Sequence, residues 1–229
     1  MSEITKEENI AIEAHQLKTN LGAAKWVLKM MEDGDTGALT EEQRGLINKL
    51  YKNNEDMLAQ VGKMLAISRD GEKSEEYNFT SVDLIKITDD VLFAFREQIL
   101  KRQIEVIFIR PEENMLAKAD AKKIHIVIQN LIENAIKYGS EKGKIFISAR
   151  KIDNTVEMAV KDSGLKISES DQPNIFEKYF RGEKGLANET STGLGLYITK
   201  NIIENHGGKI WFESTDSSTT FYFTLPAMV

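Results

Sequence analysis

The chain contains no cysteine. Disulfides, thiolate nucleophiles and thiolate metal sites are therefore excluded, and a reducing compartment is permitted without being required. No apolar run approaches the length of a membrane span, and the amino end, "MSEITKEENI", lacks the apolar stretch of a signal peptide. The chain as written reads as a cytoplasmic protein, or as the cytoplasmic portion of a longer membrane sensor. Histidine is scarce, with three among 229 residues, and no histidine-built metal site is evident. There is no internal repeat and no low-complexity tract. Nor is there an excess of positive charge: the net charge of -6 argues against nucleic acid or anionic lipid as the main partner. What is present is an ordinary globular composition, 41% hydrophobic and 29% charged, long enough for one large domain or two modest ones.

From Ile10 the apolar residues fall at Ala14, Leu17, Leu21, Ala24, Leu28 and Met31, in alternating steps of four and three. That is a heptad seam on a helix. Thr5 and Glu8 upstream have capping-box spacing, and "EDGDTGAL" ends the pattern with two glycines. Thr40 and Gln43 repeat the capping-box spacing before a second seam of Ile47, Leu50, Asn54, Met57, Val61 and Met64. Two seams in one hairpin cannot enclose a core by themselves, whereas two hairpins can. The expectation is an antiparallel helical hairpin that dimerises into a four-helix bundle. Asn54 is the polar residue on the second seam, suited to fixing register. Trp26, Met30, Met31, Met57 and Met64 read as bundle core or flank.

The charged segment "SRDGEKSEEYNF" marks a boundary, giving a helical domain over 1–70, a linker over 71–79 and a second domain over 80–229. In the latter, "VDLIKITDDVLFAFREQILKRQ" predicts a helix, "IEVIFI" a strand, and "DAKKIHIVIQNLIENAIKYG" a helix capped by Asp120. "KIFISARKI" and "TVEMAVKD" alternate with period two around Asp153 and Asn154, which predicts a hairpin. "GLGLYITKNIIENHGG" predicts a helix ending at glycine, followed by strands in "KIWFES" and "TTFYFTL". Helices against a mixed sheet make this part an α/β sandwich.

Asn130 and Asn134 lie one helical turn apart on the same face, with Lys137 close by. Two amide oxygens and an ammonium group suit a hydrated metal ion bound to phosphates, although the same residues also decorate solvated helices. "VKDSG" places Asp162 at a strand end, where a carboxylate can accept a hydrogen bond from an exocyclic amine such as that of adenine. Asp-Ser-Gly is equally ordinary turn chemistry. "TGLGL" opens a helix with Gly193 and Gly195, allowing backbone N–H groups to approach an anion. The preceding "RGEKGLANETST" has almost no apolar anchors and suits a mobile lid.

The order of these pieces narrows the reading. "QNLIENAIKYG", "DSGLKI", "IFEKYFRG" and "TGLGLYITKNIIENHGG", in that succession, resemble the N, G1, F and G2 boxes of sensor histidine kinases. "HQLKTNL" resembles their H box. The resemblance extends from about Ile10 to Pro226 and implies an ATP-binding domain of the gyrase and heat-shock chaperone type. It implies that Asn130 holds magnesium, that Asn134 and Lys137 touch phosphates, that Tyr138 lies beside the nucleotide, and that Asp162 binds the adenine amine. Gly164 would let its loop pass the base, Phe176 and Phe180 would anchor the lid, Arg181 would contact phosphate, and Gly193 and Gly195 would present backbone N–H groups. His15 would be the phosphoacceptor, one residue beyond the core position Ala14, relaying its phosphoryl group to an aspartate of a response regulator. Gln16 and Thr19 would together orient a water for dephosphorylating the partner. The expected assembly is a homodimer. His125 and His206 fit packing or capping roles.

Three residues depart from the usual pattern. Gln16 stands where many members carry an acid that can take a proton. Asn20 replaces a proline, restoring a backbone donor and predicting a straighter first helix. Lys166 replaces the second glycine of "DSGLKI", where a positive φ would strain it by about 1 kcal/mol. The closing "STDSSTTFYF" also lacks a glycine expected before the last strand.

Overall fold

The structure, a computed structural model, describes residues 6–68, 77–164, 166–182 and 192–228. The side chains at 6–13, 15, 56, 59–60 and 63–68 lie outside that description, and with them the Thr5–Glu8 spacing, the side chain of His15 and most of the expected lid. The chain divides into two compact units, residues 1–75 and 76–229.

The first unit is a pair of helices, α1 (Lys6–Asp33) and α2 (Glu41–Ser68). Helix α1 ends as its glycines require. Gly34 adopts φ +89°, its N–H donates to Met31 O at 3.3 Å, and the N–H of Asp35 reaches Met30 O at 3.0 Å. Helix α2 begins with the capping box: Thr40 N–H donates to Gln43 Oε1 at 2.9 Å and Gln43 N–H to Thr40 Oγ1 at 3.2 Å. The helices run antiparallel, because partners further along α1 lie earlier in α2. Ala14 packs with Val61, and Leu21 meets Asn54. The α1 helix is continuous through Asn20. Only part of each seam is covered within one chain, for Ala14, Ile47, Asn54 and Val61 are buried while Leu17, Leu50 and Met57 are about half exposed.

The second unit is built from β1 (Thr80–Asp83), α3 (Leu84–Lys101), β2 (Glu105–Ile109), β3 (Leu116–Ala119), α4 (Ala121–Tyr138), β4 (Lys144–Ile152), β5 (Thr155–Asp162), α5 (Gly195–Asn205), β6 (Ile210–Thr215) and β7 (Ser218–Pro226). A five-stranded sheet has the order β2-β4-β5-β7-β6, with β2 parallel to β4 and the other pairs antiparallel. β1 and β3 form a separate antiparallel pair. Helix α4 lies over β5 and between α3 and α5. Its buried stripe of Ile124, Val127, Ile128, Leu131, Ile132 and Ala135 and the alternating strand residues Ile145, Ile147, Met158, Val160, Phe223 and Leu225 make the layer between helices and sheet.

The helix expected from Val82 starts two residues later. Val82 and Asp83 finish β1, and the Asp83 carboxylate caps α3 by accepting from the N–H groups of Ile85 at 2.9 Å and Lys86 at 3.3 Å. The short strands β1 and β3 escaped the sequence reading, since four residues carry too little alternation to register. The last hairpin turns at Asp216 and Ser217 without a glycine, and neither residue has a positive φ. Residues 77–79, assigned to the linker with the charged segment that precedes them, pack on the second unit: Tyr77 and Phe79 flank His206, and the N–H of Asn78 donates to Asp120.

Candidate functional site

Helix α4 starts at a firmly held cap. Asp120 Oδ1 accepts from the N–H groups of Lys122 at 2.9 Å and Lys123 at 3.2 Å, and Oδ2 accepts from that of Asn78 at 3.0 Å. Burial pushes this carboxyl up, but the N–H groups of Asn78, Lys123 and Lys122 outweigh burial and hold it below the usual range.

Asn130, 3% exposed, ties α4 to the first turn of α5. Its Nδ2 donates to Gly195 O at 3.1 Å and to Thr199 Oγ1 at 3.3 Å, and the Thr199 hydroxyl donates to Gly195 O at 2.8 Å. With its nitrogen so engaged, the amide is oriented and its oxygen is the atom left for a ligand. Asn134 and Lys137 follow on α4, both half-buried, and the Lys137 ammonium stands 5.8 Å from the ring centre of the exposed Tyr138.

At the end of β5, Asp162 is 6% exposed and its Oδ1 accepts from the N–H of Gly164 at 2.7 Å. Burial raises its pKa to about 6 against the bonds from Gly164 and its own backbone. Gly164 has a steric reason to be glycine within the fold itself. A Cβ there would lie 2.7 Å from the carbonyl oxygen of Tyr138 and would strike the Asp162 carboxylate, so the close approach is to the end of α4. Gly139, just past that helix, similarly faces Asp162, whose Cβ would be 3.6 Å from an added methyl.

The two glycines of "TGLGL" differ. Gly193 has φ +67°, and a Cβ would come within 2.6 Å of Phe180 O and 2.7 Å of the Tyr179 carbonyl carbon. Tyr179 is itself left-handed, at φ +65°. Gly195 meets nothing closer than Asn130 Cγ at 3.7 Å. Among the described residues no side chain caps α5, whose N-cap is the buried Leu194, so its leading N–H groups have no side-chain acceptor there. Phe176 anchors its segment to the sheet, with ring centres 6.2 Å from Phe212 and 6.5 Å from Phe221. Phe180 and Arg181 follow, both half-buried. Lys166 turns outward, its ammonium 3.2 Å from Glu169.

The structure thus brings Asn130, Gly195 and Thr199 into one cluster on the side of α4, and Tyr138, Asp162 and Gly164 into another at its carboxyl end. In the first unit Gln16, Thr19 and Asn20 are exposed on α1 beside the buried Ala14. Two further residues support the site, His206 in the packing role expected of it and Arg102, which the sequence reading did not single out. His206 receives the N–H of Asp120 at 3.0 Å, and Arg102 caps the far end of α4. Their partners lie tens of residues away, so no local pattern could have revealed them.

Residues 119–228 match the family described as histidine kinase-, DNA gyrase B-, and HSP90-like ATPase. The adaptive-response sensory kinase SasA of Crocosphaera subtropica is 30% identical over 96% of this chain and 59% of its own length. The sensor histidine kinase WalK of Bacillus subtilis is 28% identical over 96% of this chain and 36% of its own. The chain therefore spans between about a third and three-fifths of the curated relatives it matches. Among solved structures, the catalytic domain of histidine kinase ThkA is 35% identical over 65% of this chain and 95% of that domain, with a TM-score of 0.59. ThkA in complex with the response regulator TrrA is 29% identical over 96% of this chain, with a TM-score of 0.63. With a kinase catalytic domain matched along almost its whole length and a kinase-type ATPase family matched over residues 119–228 of the second unit, this chain belongs to the sensor histidine kinases.

Proposed function

We propose that the second unit binds magnesium-ATP and transfers its γ-phosphoryl group to His15, which passes it to an aspartate of a response regulator. The observation that carries this reading is the oriented Asn130 amide at the uncapped start of α5, on the same helix whose far end meets the buried Asp162. One end suits a triphosphate and the other a base. Phosphoryl transfer asks the protein mainly for positioning and charge neutralisation.

In this reading the Asp162 carboxylate accepts the adenine amine, Tyr138 flanks the nucleotide, and Asn134, Lys137 and Arg181 neutralise phosphate oxygens. The N–H groups around Gly193 and Gly195 bind the same phosphates at the helix's positive end. Asn130 Oδ1 fits a magnesium ion: a hard cation takes an amide oxygen, and among the described residues no cluster of three acids or histidines offers a fuller cage. When bound, the ion neutralises charge on the phosphates. His15, as neutral imidazole, is a competent nucleophile near pH 7, and its phosphoramidate transfers readily to a carboxylate. Gln16 cannot serve as a base, so the proton leaves to solvent or to phosphate and the forward rate is modest. Gln16 and Thr19 together position a water for dephosphorylating the partner.

The half-exposed Leu17, Leu50 and Met57 support a homodimer, since a second hairpin would cover them. ThkA forms a complex with the response regulator TrrA. A receiver domain is the corresponding partner here, with the exposed Trp26 and Val27 as its first contact.

Incubation of the protein with magnesium and γ-labelled ATP tests the reading. Acid-labile, base-stable label that vanishes in His15→Ala is expected. Tight ATP binding without label would instead make the chain a nucleotide-dependent scaffold or a phosphatase-biased protein, and phosphate release without phosphohistidine would make it an ATPase clamp. Mixing His15→Ala with Asn134→Ala then separates transfer within a chain from transfer across the dimer: label on the intact His15 requires the latter.

A further inference from the structure

The last turn of α4 carries Asn134, Lys137 and Tyr138, and like every helix end it leaves carbonyl groups without internal partners. Here they point at one side chain. Arg102 Nη1 donates to Ile136 O and, at 3.0 Å, to Lys137 O, while Nη2 donates to Gly139 O at 3.2 Å. A single guanidinium fork thus closes three carbonyls at the negative end of the helix. A lysine, with one compact ammonium, cannot span them in the same way.

Arg102 is itself fixed on both sides. Its N–H donates to Gln98 O at 3.0 Å as the C-cap of α3, and its carbonyl accepts from Lys142 N–H at 3.0 Å. The next residue, Gln103, is left-handed at φ +54°, and so is Lys142 at φ +56°. Two non-glycine residues held in that region flank the arginine, a local cost that the surrounding bonds must over-determine. The 139–143 loop that Arg102 fastens is joined to the end of β5 as well, through Ser140 Oγ to Ser163 O at 2.6 Å and Lys144 N–H to Ser163 Oγ at 2.8 Å.

The same helix end forms the wall behind Asp162. Gly164 is pressed against the Tyr138 carbonyl, and a methyl added to Gly139 would touch Asp162 Cβ at 3.6 Å. Any shift of residues 136–139 therefore moves the Asp162–Gly164 turn. We infer that Arg102 is a positioning residue for recognition of the nucleotide base: by clamping the carbonyls of Ile136, Lys137 and Gly139 it sets where the Asp162 carboxylate stands relative to α4. This inference rests on the proposed nucleotide site and deepens it. Arg102 acts on the base through Asp162 and Tyr138; Asn130 and Gly195, about two turns up the helix, stay in place, and any shift of Lys137, whose carbonyl Arg102 also holds, weakens both triphosphates alike.

The test is a comparison of two ligands on the full chain. Affinities for magnesium-ATP and for the magnesium salt of purine riboside triphosphate, which lacks the six-amino group, are measured by calorimetry for the parent and for Arg102→Ala. The expected result is a loss for ATP about fivefold or more beyond the loss for the analogue, so that the preference for the amine collapses while any weakening through Lys137 is common to both. In the double variant Arg102→Ala/Asp162→Asn the two losses are non-additive, because both act on one contact. Equal losses for both ligands, or an unchanged ratio, would reduce Arg102 to a purely structural cap and overturn the inference. If Arg102→Ala melts below the assay temperature, Arg102→Lys, which keeps the positive charge at the helix end, gives the same ratio to read. A parent that binds neither ligand would remove the nucleotide site itself, a separate outcome from a parent that binds both with an unaltered ratio in the variants.

Discussion

The backbone N–H of Asp120 donates to Nε2 of His206 at 3.0 Å, while Nδ1 of the same ring donates to Ile202 O at 2.7 Å. Only a neutral imidazole carrying its proton on Nδ1 satisfies both. Tyr77 and Phe79 stand edge-on to the ring at 5.0 and 5.1 Å, so the segment entering the second unit, the cap of α4 and the end of α5 share one histidine. Burial pushes the His206 pKa below 6.5; the Ile202 carbonyl and Asp120 carboxylate oppose that shift, and Lys123 adds to it. A histidine with a lowered folded pKa contributes stability that is present above pH 6.5 and lost as the pH falls below it. His206→Gln should therefore show a smaller acid-induced drop in Tm between pH 7.5 and 5.5 than the parent, and should itself cost about 2 kcal/mol at pH 7.5. Parallel Tm-versus-pH curves for the two proteins would remove the role.

Asp162 titrates with the opposite sign. Its pKa is raised to about 6 from 3.8, chiefly by burial, so the fold gains stability as the pH drops through 6 and pays for the ionised carboxylate above it. The shift corresponds to a cost of about 3 kcal/mol at pH 8. Asp162→Asn keeps an oxygen for the Gly164 N–H and removes the charge, so the variant should melt higher at pH 8 while binding ATP about tenfold or more weakly. The parent's ATP affinity should fall as pH is lowered from 7.5 to 5.5, and the variant's should stay nearly flat. Lower stability of Asp162→Asn at pH 8 would contradict the burial argument.

How much of this could be read from the sequence depends on the range of each interaction. Heptad spacing marked both helices of the hairpin, the Thr40–Gln43 box marked where α2 begins, and period-two alternation marked β4 and β5, because each signal lies within a few residues. Asp120 was readable as a cap for the same reason. Arg102 was not, nor were the particular partners of His206 and Gly164, since the contacts are with Ile136, Asp120 and Tyr138, brought near only by the packing of α3, α4 and α5. The last hairpin closes without the glycine expected there, and Thr215 and Ser218 tie its turn through side-chain bonds.

The two glycines of the α5 entrance should separate folding from binding. Gly193→Ala places a methyl against Phe180 O and Tyr179 in a left-handed conformation, and is expected to cost about 1–3 kcal/mol and to displace the 176–182 segment. Gly195→Ala adds a methyl at ordinary contact distance from Asn130 and sits at a helix start where alanine is favoured, so its Tm should match or slightly exceed that of the parent. Its ATP affinity should nevertheless drop, since the methyl occupies space that phosphate oxygens would take. Thermal melts and ATP titrations on both variants measure the contrast. An unimpaired ATP affinity in Gly195→Ala would sever this glycine from the phosphates.

Asn54 offers a test of specificity in the hairpin. It is 6% exposed on the α2 seam, and its Nδ2 donates to Leu21 O at 2.9 Å, a carbonyl in the middle of α1. Replacing it with leucine removes a buried polar group and adds apolar area without leaving an orphan, because Leu21 O keeps its place in the helix. Asn54→Leu should stabilise the hairpin by about 1 kcal/mol. What it removes is the only bond, among those described, that ties a side chain of α2 to the backbone of α1. The absence of native cysteine lets register be read directly. The pair Ala14→Cys with Val61→Cys should cross-link in the parent, as those residues pack together, while Ala14→Cys with Met57→Cys, one helical turn out of step, should not. In the Asn54→Leu background the shifted pair should begin to cross-link alongside the first. Should the shifted pair stay silent there, and the Tm rise as expected, Asn54 would be a tolerated polar residue with no part in fixing the alignment of the helices.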